Sequence, residues 1–493
     1  MQNVAGVWLM TSLTQSQVKI ALMQTATSLP VFLVVIPAAA MVDIVDRRRM
    51  LLFTQGWMCA AAAGLSILTF WGAAGEWELL AFTFALGLGS AMNVPLWQAL
   101  VPRLVPATEL PAAVALNGVA FNIARAVGPA LGGAVVAVAG PGPVFLLNAI
   151  SFVGVMIIVY GWESSGRPNL LPSERVIGAM KTGVRYMLHA PPLRAVLIRC
   201  LLFITCVSAL WALLPAIARH ELGMGSIGFG ALFGFIGIGA LVGAAALPKL
   251  RSLASPDRLI NAASAILVVA LLALAAIRII YILYAAMLIA GIAWMTAMSS
   301  LTVAAQTLVP SWVQGRALGF YTLAFGGGMA VASAAWGIIA EKGGNPFALV
   351  CAAGLLIVTV LFSLKWHLNI GSAQDLSPSL HWPEPVLTTR PNPDEGPVLV
   401  LIEYHIDPAK AEEFVNAAHE LARIRRRDGG RQWGLYRDLA EPARYIETFQ
   451  VESWVEHLRQ HERITVADRT IDERVRAFHT GTNRPTVSHF LYR

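Results

Sequence analysis

The chain has 493 residues, of which 56% are hydrophobic and only 13% are charged. A soluble protein carries about twice that charged fraction, so the composition excludes an ordinary soluble globular protein. Residues 1–366 consist of long apolar runs, whereas residues 398–493 have the charge content of a globular domain. The formal net charge of +7 is explained by basic loops and a basic tail, so no nucleic-acid partner is expected.

Apolar runs long enough to cross a membrane fill the first three quarters of the chain. A helix needs about 20 apolar residues to span a bilayer, and a helix satisfies its own backbone groups in lipid. Eleven runs reach this length, at residues 18–42, 50–73, 78–101, 111–139, 143–162, 194–217, 226–248, 257–277, 281–307, 316–340 and 346–366. Val4–Leu13 is apolar but short, and we expect it to be the second half of a first helix whose start is truncated. A chain that truly lacks half a helix is the alternative.

Basic residues give the orientation of these spans, because Lys and Arg accumulate in cytoplasmic loops. Every second loop, starting after the first full span, is basic, with Arg47, Arg48, Arg49, Arg103, Arg167, Arg175, Lys181, Arg185, Lys249, Arg251 and Arg316. The opposite loops contain only Lys19, Arg219, Arg278 and Lys342. We therefore expect a multi-pass protein of the inner (plasma) membrane, with the lipid bilayer as its partner and a cytoplasmic C-terminal domain.

An internal repeat divides the membrane part into two halves. The segment Gln98–Pro102, QALVP, recurs as Gln306–Pro310, QTLVP, at the end of a corresponding span. Repeated halves related by an axis along the membrane normal are a transporter architecture, in which the substrate site lies near the midplane between the halves. We expect transmembrane halves over residues 1–162 and 194–366, separated by a cytoplasmic loop over residues 163–193.

The inter-half loop contains a candidate surface helix. Between Glu174 and Leu188 the apolar residues recur at helical spacing, with Val176, Met180, Val184 and Met187 on one side. This pattern predicts an amphipathic helix that lies on a surface rather than across a membrane.

The loop after the first full span carries an acidic residue followed by a basic cluster. Asp43, Asp46, Arg47 and Arg48 form the pattern DxxDRR, which resembles the signature loop between helices 2 and 3 of the major facilitator superfamily. The resemblance implies a conformational latch of these residues at the cytoplasmic face, with Asp46 at the family's usual glycine position. Charge-assisted hydrogen bonds at a helix end can bias a two-state equilibrium. The alternative is a plain cytoplasmic anchor made by the basic residues.

A glycine-rich run lies in the span 111–139. Gly128, Pro129, Gly132 and Gly133 form the pattern GPxxGG, which resembles the exporter motif in the fifth helix of the same superfamily. The resemblance implies export rather than uptake. Glycines four residues apart also allow close helix approach, and generic packing is therefore the alternative.

Several polar residues lie inside the predicted spans. Arg125 is the basic residue placed deepest, and a charged side chain there costs about 2.5–3.5 kcal/mol, so it should face a cavity or a partner. Three roles are open for Arg125: it contacts an anionic substrate, it forms an ion pair that gates the transporter, or it is structural and its guanidinium donates to backbone carbonyl groups. We expect a substrate cavity lined by the following residues: Asn3, Asn93, Asn117, Asn122 and Arg125.

The tail follows a Pro- and Ser-rich stretch, residues 367–397, that is typical of a linker. Residues 398–493 predict the order β-α-β-β-α-β, with strands at 398–406, 432–438, 444–451 and 487–492, which is ferredoxin-like. The domain resembles the antibiotic-biosynthesis-monooxygenase family of small dimeric barrels, which implies a homodimer through this domain. Five residues could suggest an active site: His419, Trp433, Tyr436, His457 and His461. They have neither metal-ligand spacing nor a nucleophile triad, and a dimerisation or regulatory module is favoured.

The expected fold is thus an all-α polytopic major facilitator protein with an α+β tail. The region of Trp8, the Asp43 loop and the Gly128 motif resemble the enterobactin-exporter-like branch (transmembrane secretion effectors), which implies alternating-access export of a siderophore- or drug-like small molecule. The alternative is a membrane-anchored enzyme or sensor that acts through the tail. The four cysteines lie in apolar runs without a CxxC or Cys/His cluster, so we expect no metal, cofactor or catalytic residue.

Asp43→Asn tests the latch. The variant keeps the size of the side chain but removes its charge, and the charge-assisted bonds to Arg47 or Arg48 are lost with it. We expect normal membrane insertion and impaired transport, measured as substrate accumulation in whole cells. Transport equal to that of the parent would exclude the latch.

Overall fold

The computed structural model describes residues 1–41, 46–104, 109–161, 176–365, 375–379, 381–382 and 391–492. Asp43 and the start of the inter-half loop lie outside these ranges. The helices before the tail are α1 (Gln2–Leu13), α2 (Gln17–Met41), α3 (Arg47–Phe70), α4 (Glu76–Leu104), α5 (Leu110–Ala139), α6 (Pro141–Gly161), α7 (Val176–His189), α8 (Pro191–Ala216), α9 (Ser226–Leu253), α10 (Pro256–Ala276), α11 (Ile280–Thr307), α12 (Gln314–Gly343) and α13 (Asn345–Lys365).

Each predicted span is found as a helix, and the short apolar run before them is α1. In the part of the chain that the structure describes, nine helices are long and apolar enough to cross a membrane. α5 contributes a shorter apolar stretch, Val127–Ala139. The mainly helical architecture predicted from the apolar runs is therefore confirmed.

The chain divides into two compact units. The membrane unit consists of Met1–Ser173, Val196–Ala304 and Gly319–Ile370. The tail unit consists of Glu174–Ala195, Ala305–Leu318 and Gly371–Arg493. The tail unit thus combines the C-terminal domain with α7 and with the turn between α11 and α12, which contains a short 3-10 segment, Ser311–Val313.

Within the membrane unit, α5 and α9 cross at glycines. A Cβ atom added at Gly133 would lie 2.5 Å from the carbonyl oxygen of Ser226 and 3.1 Å from Cα of Gly230. A Cβ atom at Gly230 would lie 2.9 Å from the carbonyl oxygen of Pro129. The backbones of the two helices are therefore in direct contact, and the glycine-rich run of α5 has at least a packing role at a contact between the two halves.

α2 and α12 form a second crossing between the halves. The Thr25 hydroxyl donates a hydrogen bond to the carbonyl oxygen of Ala330 at 2.7 Å. Gly337 lies against Val18 and Ala21, so that an added Cβ would meet Cα of Val18 at 3.1 Å. Small residues again permit the approach. Gly239 and Gly243 in α9 pack against α11 within the C-terminal half.

The tail domain is built around a four-stranded antiparallel sheet in the order β2-β3-β1-β4. Its elements are β1 (Val398–His405), α14 (Ala411–Asp428), β2 (Arg431–Arg437), β3 (Arg444–Val451), α15 (Trp454–Arg463), α16 (Val466–Arg476) and β4 (Thr486–Leu491). Alternate residues of β1 and β3 are buried against the helices, which gives one core face per strand. The four predicted strands are present, each within a residue or two of its predicted bounds.

α16 was not predicted, although its start has a recognisable signal. The Thr465 hydroxyl accepts a hydrogen bond from the Asp468 backbone N–H at 3.2 Å, and the Asp468 carboxylate accepts one from the Thr465 N–H at 3.0 Å. This is a capping box with Asp in place of Glu. At the start of α15, the Ser453 hydroxyl accepts from the Glu456 N–H, but the Glu456 carboxylate binds arginines and does not complete a capping box.

The segment 367–397 is not a free linker in its described residues, and that prediction is corrected. The Ser379 N–H donates to the carbonyl oxygen of Ile464 at 2.9 Å. The Trp382 indole lies 4.7 Å from the Arg425 guanidinium and donates to Asp472 at 3.3 Å. The Tyr492 N–H donates to Pro397 at 3.1 Å. Pro and Ser are common in linkers, but here aromatic and polar residues between them attach the segment to the domain.

α7 confirms the predicted helix, but its buried face differs from the predicted one. Val184 is 41% exposed, whereas Tyr186 is 3% exposed and Thr182 is buried. The Tyr186 ring packs edge-on against Trp312 at 5.5 Å and lies 5.6 Å from the Arg427 guanidinium. Contact with the tail domain buries this side of α7, which the apolar pattern of the helix could not reveal.

Gly133→Val tests the crossing of α5 and α9. The added side chain collides with backbone atoms of Ser226 and Gly230, and overpacking of this kind costs about 1–3 kcal/mol or more. We expect a lower midpoint of thermal unfolding in detergent and less folded protein in the membrane. Gly154→Val in α6 is the control, because a Cβ there meets no atom within 4 Å. Equal behaviour of the two variants would contradict this account of the crossing.

Candidate functional site

A cavity of about 450 Å³ lies between the two halves of the membrane unit. One wall comes from α1, α2 and α4 and carries amide and hydroxyl groups, contributed by Asn3, Gln24, Thr27, Ser28 and Ser90. The opposite wall comes from α8, α9, α11 and α12 and is aromatic, with Trp211, Phe229, Phe233, Trp294 and Phe325. The two halves therefore contribute different chemistry to the same space.

The aromatic wall is a connected cluster of rings. Trp211 packs edge-on against Trp294 with centroids 5.3 Å apart, and it lies 5.6 Å from Phe233. Phe229 contacts Phe233 at 5.1 Å, and Trp294 contacts Phe325 at 6.3 Å. Rings at these separations hold one another in place, so they offer flat apolar surfaces with little side-chain freedom.

A second cavity, of about 420 Å³, lies within the N-terminal half and is rich in amides. The Asn148 amide donates to Gln2 Oε1 at 2.6 Å, and the Gln55 amide donates to Asn93 Oδ1 at 3.2 Å. Asn3 lines this cavity and also the first one, as do Thr27 and Ser90. The two cavities therefore adjoin, and a molecule between the halves would have the amide cavity at its side.

Gln55 is the least satisfied polar side chain in the amide cavity. It is only 4% exposed, and its Oε1 atom has no hydrogen-bond partner among the residues that the structure describes. A buried polar atom without a partner costs about 1–3 kcal/mol. The cost would be offset by a donor on a bound molecule or by water.

Neither cavity has an ionisable side chain among its described lining residues. The described walls offer hydrogen-bonding groups and aromatic rings.

The predicted cavity residues are placed as follows. Asn3 lines both cavities and Asn93 lines the amide cavity. The side chains of Asn117, Asn122 and Arg125 lie outside the described residues, although the backbone that carries them belongs to α5. Their roles stay predictions.

The described latch residues have local partners. The Asp46 carboxylate caps α3 by accepting from the backbone N–H groups of Arg48 and Arg49, at 2.9 and 3.3 Å. The Arg48 guanidinium donates to the carbonyl oxygen of Tyr160 and lies 5.3 Å from its ring. These contacts attach the start of α3 to the end of α6. Asp43 and the side chain of Arg47 lie outside the description, so the latch itself stays a prediction.

One end of the membrane unit is closed by a contact between the halves. The Ser16 hydroxyl, in the turn between α1 and α2, donates to Glu341 Oε2 at 2.8 Å. The Val18 backbone N–H donates to the same oxygen at 3.0 Å. Lys19 forms an ion pair with Glu76 beside this contact. Glu341 therefore joins α12 of the C-terminal half to the start of α2.

Sequence patterns missed Gln55 and the aromatic wall. Gln55 could have been recognised as a cavity candidate, since it is a polar amide within an apolar run. Trp211 and Trp294 gave no usable signal, because spans that are apolar on every face do not reveal which side lines a cavity.

Three histidines lie together in the tail domain. His457 Nε2 is 3.0 Å from His489 Nε2, and the rings of His457 and His461 are 5.0 Å apart. Burial, together with the neighbouring histidines, lowers the pKa of His457 to about 3, and burial is also the main cause that lowers the pKa of His461 to about 4. The described residues contain no group of side chains fit to hold a metal ion. Of the other tail candidates, His419 lies against Trp433 at 5.3 Å, away from this cluster.

A buried ionic network forms the polar core of the tail domain. Arg425 binds Glu447 at 3.1 Å and Asp472 at 3.4 Å. Burial opposes the charge on Asp472, but hydrogen bonds from His381 and Trp382 and the charges of Arg425 and Arg476 lower its pKa to about 2. These partners keep the network ionised inside the domain, and two of them belong to the segment predicted as a linker.

The tail domain also contacts α7 and the turn after α11. Glu456 binds Arg463 and lies 3.3 Å from Arg185 of α7. The Arg463 guanidinium lies 4.7 Å from the Trp312 ring. These partners come from three separate stretches of sequence, all of which belong to the tail unit.

The comparisons with known proteins agree with this architecture. The whole chain, residues 1–493, matches the family described as transmembrane secretion effectors. The protein belongs to that family and is a membrane transporter of the major facilitator type, which confirms the family resemblance seen in the sequence.

Individual relatives are more distant. A staphyloferrin A transporter of Staphylococcus aureus (strain NCTC 8325 / PS 47) is 28% identical over 152 residues, which cover 30% of this chain and only 38% of that relative. The structure of a POT family transporter in complex with 5-aminolevulinic acid superposes with a TM-score of 0.58 at 14% identity, covering 74% of this chain and 93% of that one. A bacterial homologue of the iron transporter ferroportin, in an inward-facing state, gives 0.58 at 16% identity, covering 74% and 95%. The structural likenesses establish the fold of the membrane part alone.

The histidine cluster predicts a pH-dependent tail domain. An unfolded histidine binds a proton near pH 6.5, whereas His457 and His461 in the folded domain stay neutral to about pH 3 and 4. The unfolded state therefore binds more protons between pH 6.5 and 4, and stability falls as the pH falls through that window. At pH 5 we expect a loss of about 2 kcal/mol for His457.

Hydrogen exchange of β1 in the full-length protein, followed by mass spectrometry from pH 7 to 5, measures this loss. His457→Gln should flatten the dependence of protection on pH, even if the variant is less stable throughout. His419→Gln is the control, because that ring is exposed. An unchanged slope in His457→Gln would refute the assignment.

Proposed function

We propose that this transporter exports a small molecule, of siderophore or drug type, across the inner membrane by alternating access. The observation that carries the proposal is the 450 Å³ cavity between the halves, with an amide wall on one side and an aromatic wall on the other. Binding near the midplane between two halves is the arrangement that alternating access requires.

The chemistry of the cavity favours a molecule with flat rings and several hydrogen-bonding groups. Rings would pack on Trp211 and Trp294, while polar groups would meet Gln55 and the neighbouring amides. The match to a staphyloferrin A transporter supports a siderophore-like cargo, although it covers a minority of each chain. We also propose that Arg125 extends the polar wall, because Ala124 and Pro129 of the same helix line the cavity.

The closed end supports an inward-open arrangement. Glu341, Ser16 and Lys19 belong to the end opposite the basic loops, which is the outer end if Lys and Arg lie in the cytoplasm. The glycine motif of α5, which resembles that of exporters, supports the outward direction. Gly133 of this motif meets α9 of the other half, where a change in helix crossing would alter the cavity.

We further propose that the tail is a cytoplasmic, ferredoxin-like module that resembles the monooxygenase family and dimerises rather than catalyses. The strand order β2-β3-β1-β4 supports the ferredoxin-like class, since it brings the first and third strands to the centre. Exposed apolar residues at the sheet edges support a homodimer, with Leu439 91%, Phe490 51% and Tyr492 75% exposed.

Accumulation of candidate cargoes in a strain that lacks the transporter tests the function. We expect a siderophore or drug of the cargo class to accumulate in the deletion strain and to fall again when the gene is restored. Trp294→Ala should slow export about tenfold, because a lost ring contact of about 1.4 kcal/mol is a factor of ten. Gln55→Leu should weaken export by removing the amide.

Trp71→Ala provides the matched control, since Trp71 is 77% exposed and lines neither cavity. All three variants should reach the membrane in comparable amounts, as measured by immunoblot of membrane fractions. Greater accumulation on restoring the gene would mean uptake and would contradict export. Full activity of both cavity variants would contradict the proposed site.

A further inference from the structure

A cleft of about 400 Å³ lies on the tail domain and shares no lining residue with the two membrane cavities. It is formed by α16, the loop that follows it and His381 of the segment before β1. Its lining is unusually basic, with Arg469, Arg476 and Arg484 around a single carboxylate, Glu473. The proposed transport mechanism assigns no role to this cleft.

The loop that forms one wall of the cleft is held at both ends. The Thr480 backbone N–H donates to the carbonyl oxygen of His405 at 2.8 Å, and the His405 N–H donates to His479 Nδ1 at 2.9 Å. Six residues later β4 begins at Thr486, which pairs with Glu403 of β1. The end of β1 thus fixes the start and the finish of the loop, so the wall is part of the folded domain.

The carboxylates near the cleft are already engaged. Arg469 binds Glu473 at 2.6 Å. Behind the wall, buried Asp472 accepts from Arg476 Nε at 2.8 Å, from His381 and from Trp382. The salt bridge of Arg476 uses Nε and leaves its two terminal nitrogens for other acceptors. Neither carboxylate is therefore free to neutralise a further cation.

Arg484 supplies a charge without a counter-ion. It is exposed on the loop, and among the described residues no carboxylate forms an ion pair with it. An arginine fork without a carboxylate, next to a second arginine, matches the geometry of a bidentate oxyanion.

His479 adds a directed donor. Because its Nδ1 accepts from the His405 N–H, a neutral ring must carry its proton on Nε2. The same ring lines the cleft. Backbone pairing thereby selects the tautomer that donates. The cleft is lined by donors from arginines and from His479, and its one carboxylate, Glu473, is already paired with Arg469.

We propose that this cleft binds a small free oxyanion with more than one charge, a polycarboxylate or a phosphorylated compound. The arginines supply the charge and the bidentate bonds, while His479 supplies a neutral donor. A concave site of this volume encloses a free molecule, whereas a flat basic surface would only attract a headgroup. His381, which lines the cleft, also holds Asp472, so the cleft adjoins the buried ionic network of the domain.

The test is a calorimetric titration of the full-length protein in nanodiscs of phosphatidylcholine. Pyrophosphate and citrate are the probes, at constant ionic strength in a phosphate-free buffer. We expect saturable binding of at least one probe with one site per chain. Arg484→Gln should weaken it at least about tenfold, since a hydrogen bond to a charged group is lost. Arg484 is exposed, so the variant should fold, and circular dichroism checks this.

Arg474→Gln is the matched control. Arg474 is also an exposed arginine on α16, paired with Glu420, and it does not line the cleft. It should leave the affinity unchanged. Equal weakening by both variants would mean general charge attraction and would overturn the proposal, as would the absence of binding by both probes. The protein could instead bind phosphatidylglycerol vesicles in an Arg484-dependent way and bind no free anion. That result would assign the cleft to a lipid headgroup and would overturn the proposal of a free ligand.

Discussion

The contact of bare backbones where α5 crosses α9 is the interaction on which the membrane unit depends. Lipid removes the hydrophobic drive for helix association, so helices join through close van der Waals contact and hydrogen bonds. Gly133 and Gly230 allow that contact, and their helices belong to opposite halves. The crossing of α2 and α12 uses small residues in the same way. Both crossings hold the halves together while leaving the cavity between them, which a larger side chain would prevent.

The cavity divides recognition between the halves. The N-terminal half brings amides and hydroxyls, and the C-terminal half brings a cluster of rings. Uncharged amides cost less free energy to bury than ions do. An unsatisfied amide such as Gln55 favours binding of a ligand that supplies the missing hydrogen-bond partner. The aromatic rings pack favourably against any flat apolar surface of a ligand. A site of this kind would accept a class of molecules and would discriminate among them by the number of hydrogen bonds.

Buried ion pairs hold the tail unit together, whereas close packing of helices holds the membrane unit together. Arg425, Glu447 and Asp472 are buried together, so removing one partner would leave an uncompensated charge inside the domain. Trp382 covers Arg425 from a segment that joins the last membrane helix to the domain. Glu456 and Arg463 extend the ionic contacts to Arg185 and Trp312. α7 and the turn after α11 are therefore joined to the tail domain by specific contacts.

The sequence by itself determined the kind of each element and the number of strands and membrane helices, whereas α16 of the tail was missed. Apolar length fixes a membrane helix because lipid offers its backbone no other partners, and the alternation along β1 and β3 fixes a strand with one buried face. The glycines of α5 were visible as a motif. Asn3 and Asn93 were visible as polar residues in apolar runs.

Only the tertiary structure decided which faces meet. A helix that is apolar on every face does not reveal in its sequence which side lines the cavity. The sequence therefore could not distinguish the rings around Trp294 from rings that face lipid. Composition suggested a linker before the tail, but contacts with Arg425 and Asp472, distant in sequence, made its described residues part of the domain. Likewise α7 buries Tyr186 rather than Val184, because the tail domain covers that face. Such contacts join residues that are tens to hundreds of positions apart, and local patterns hold no information about them.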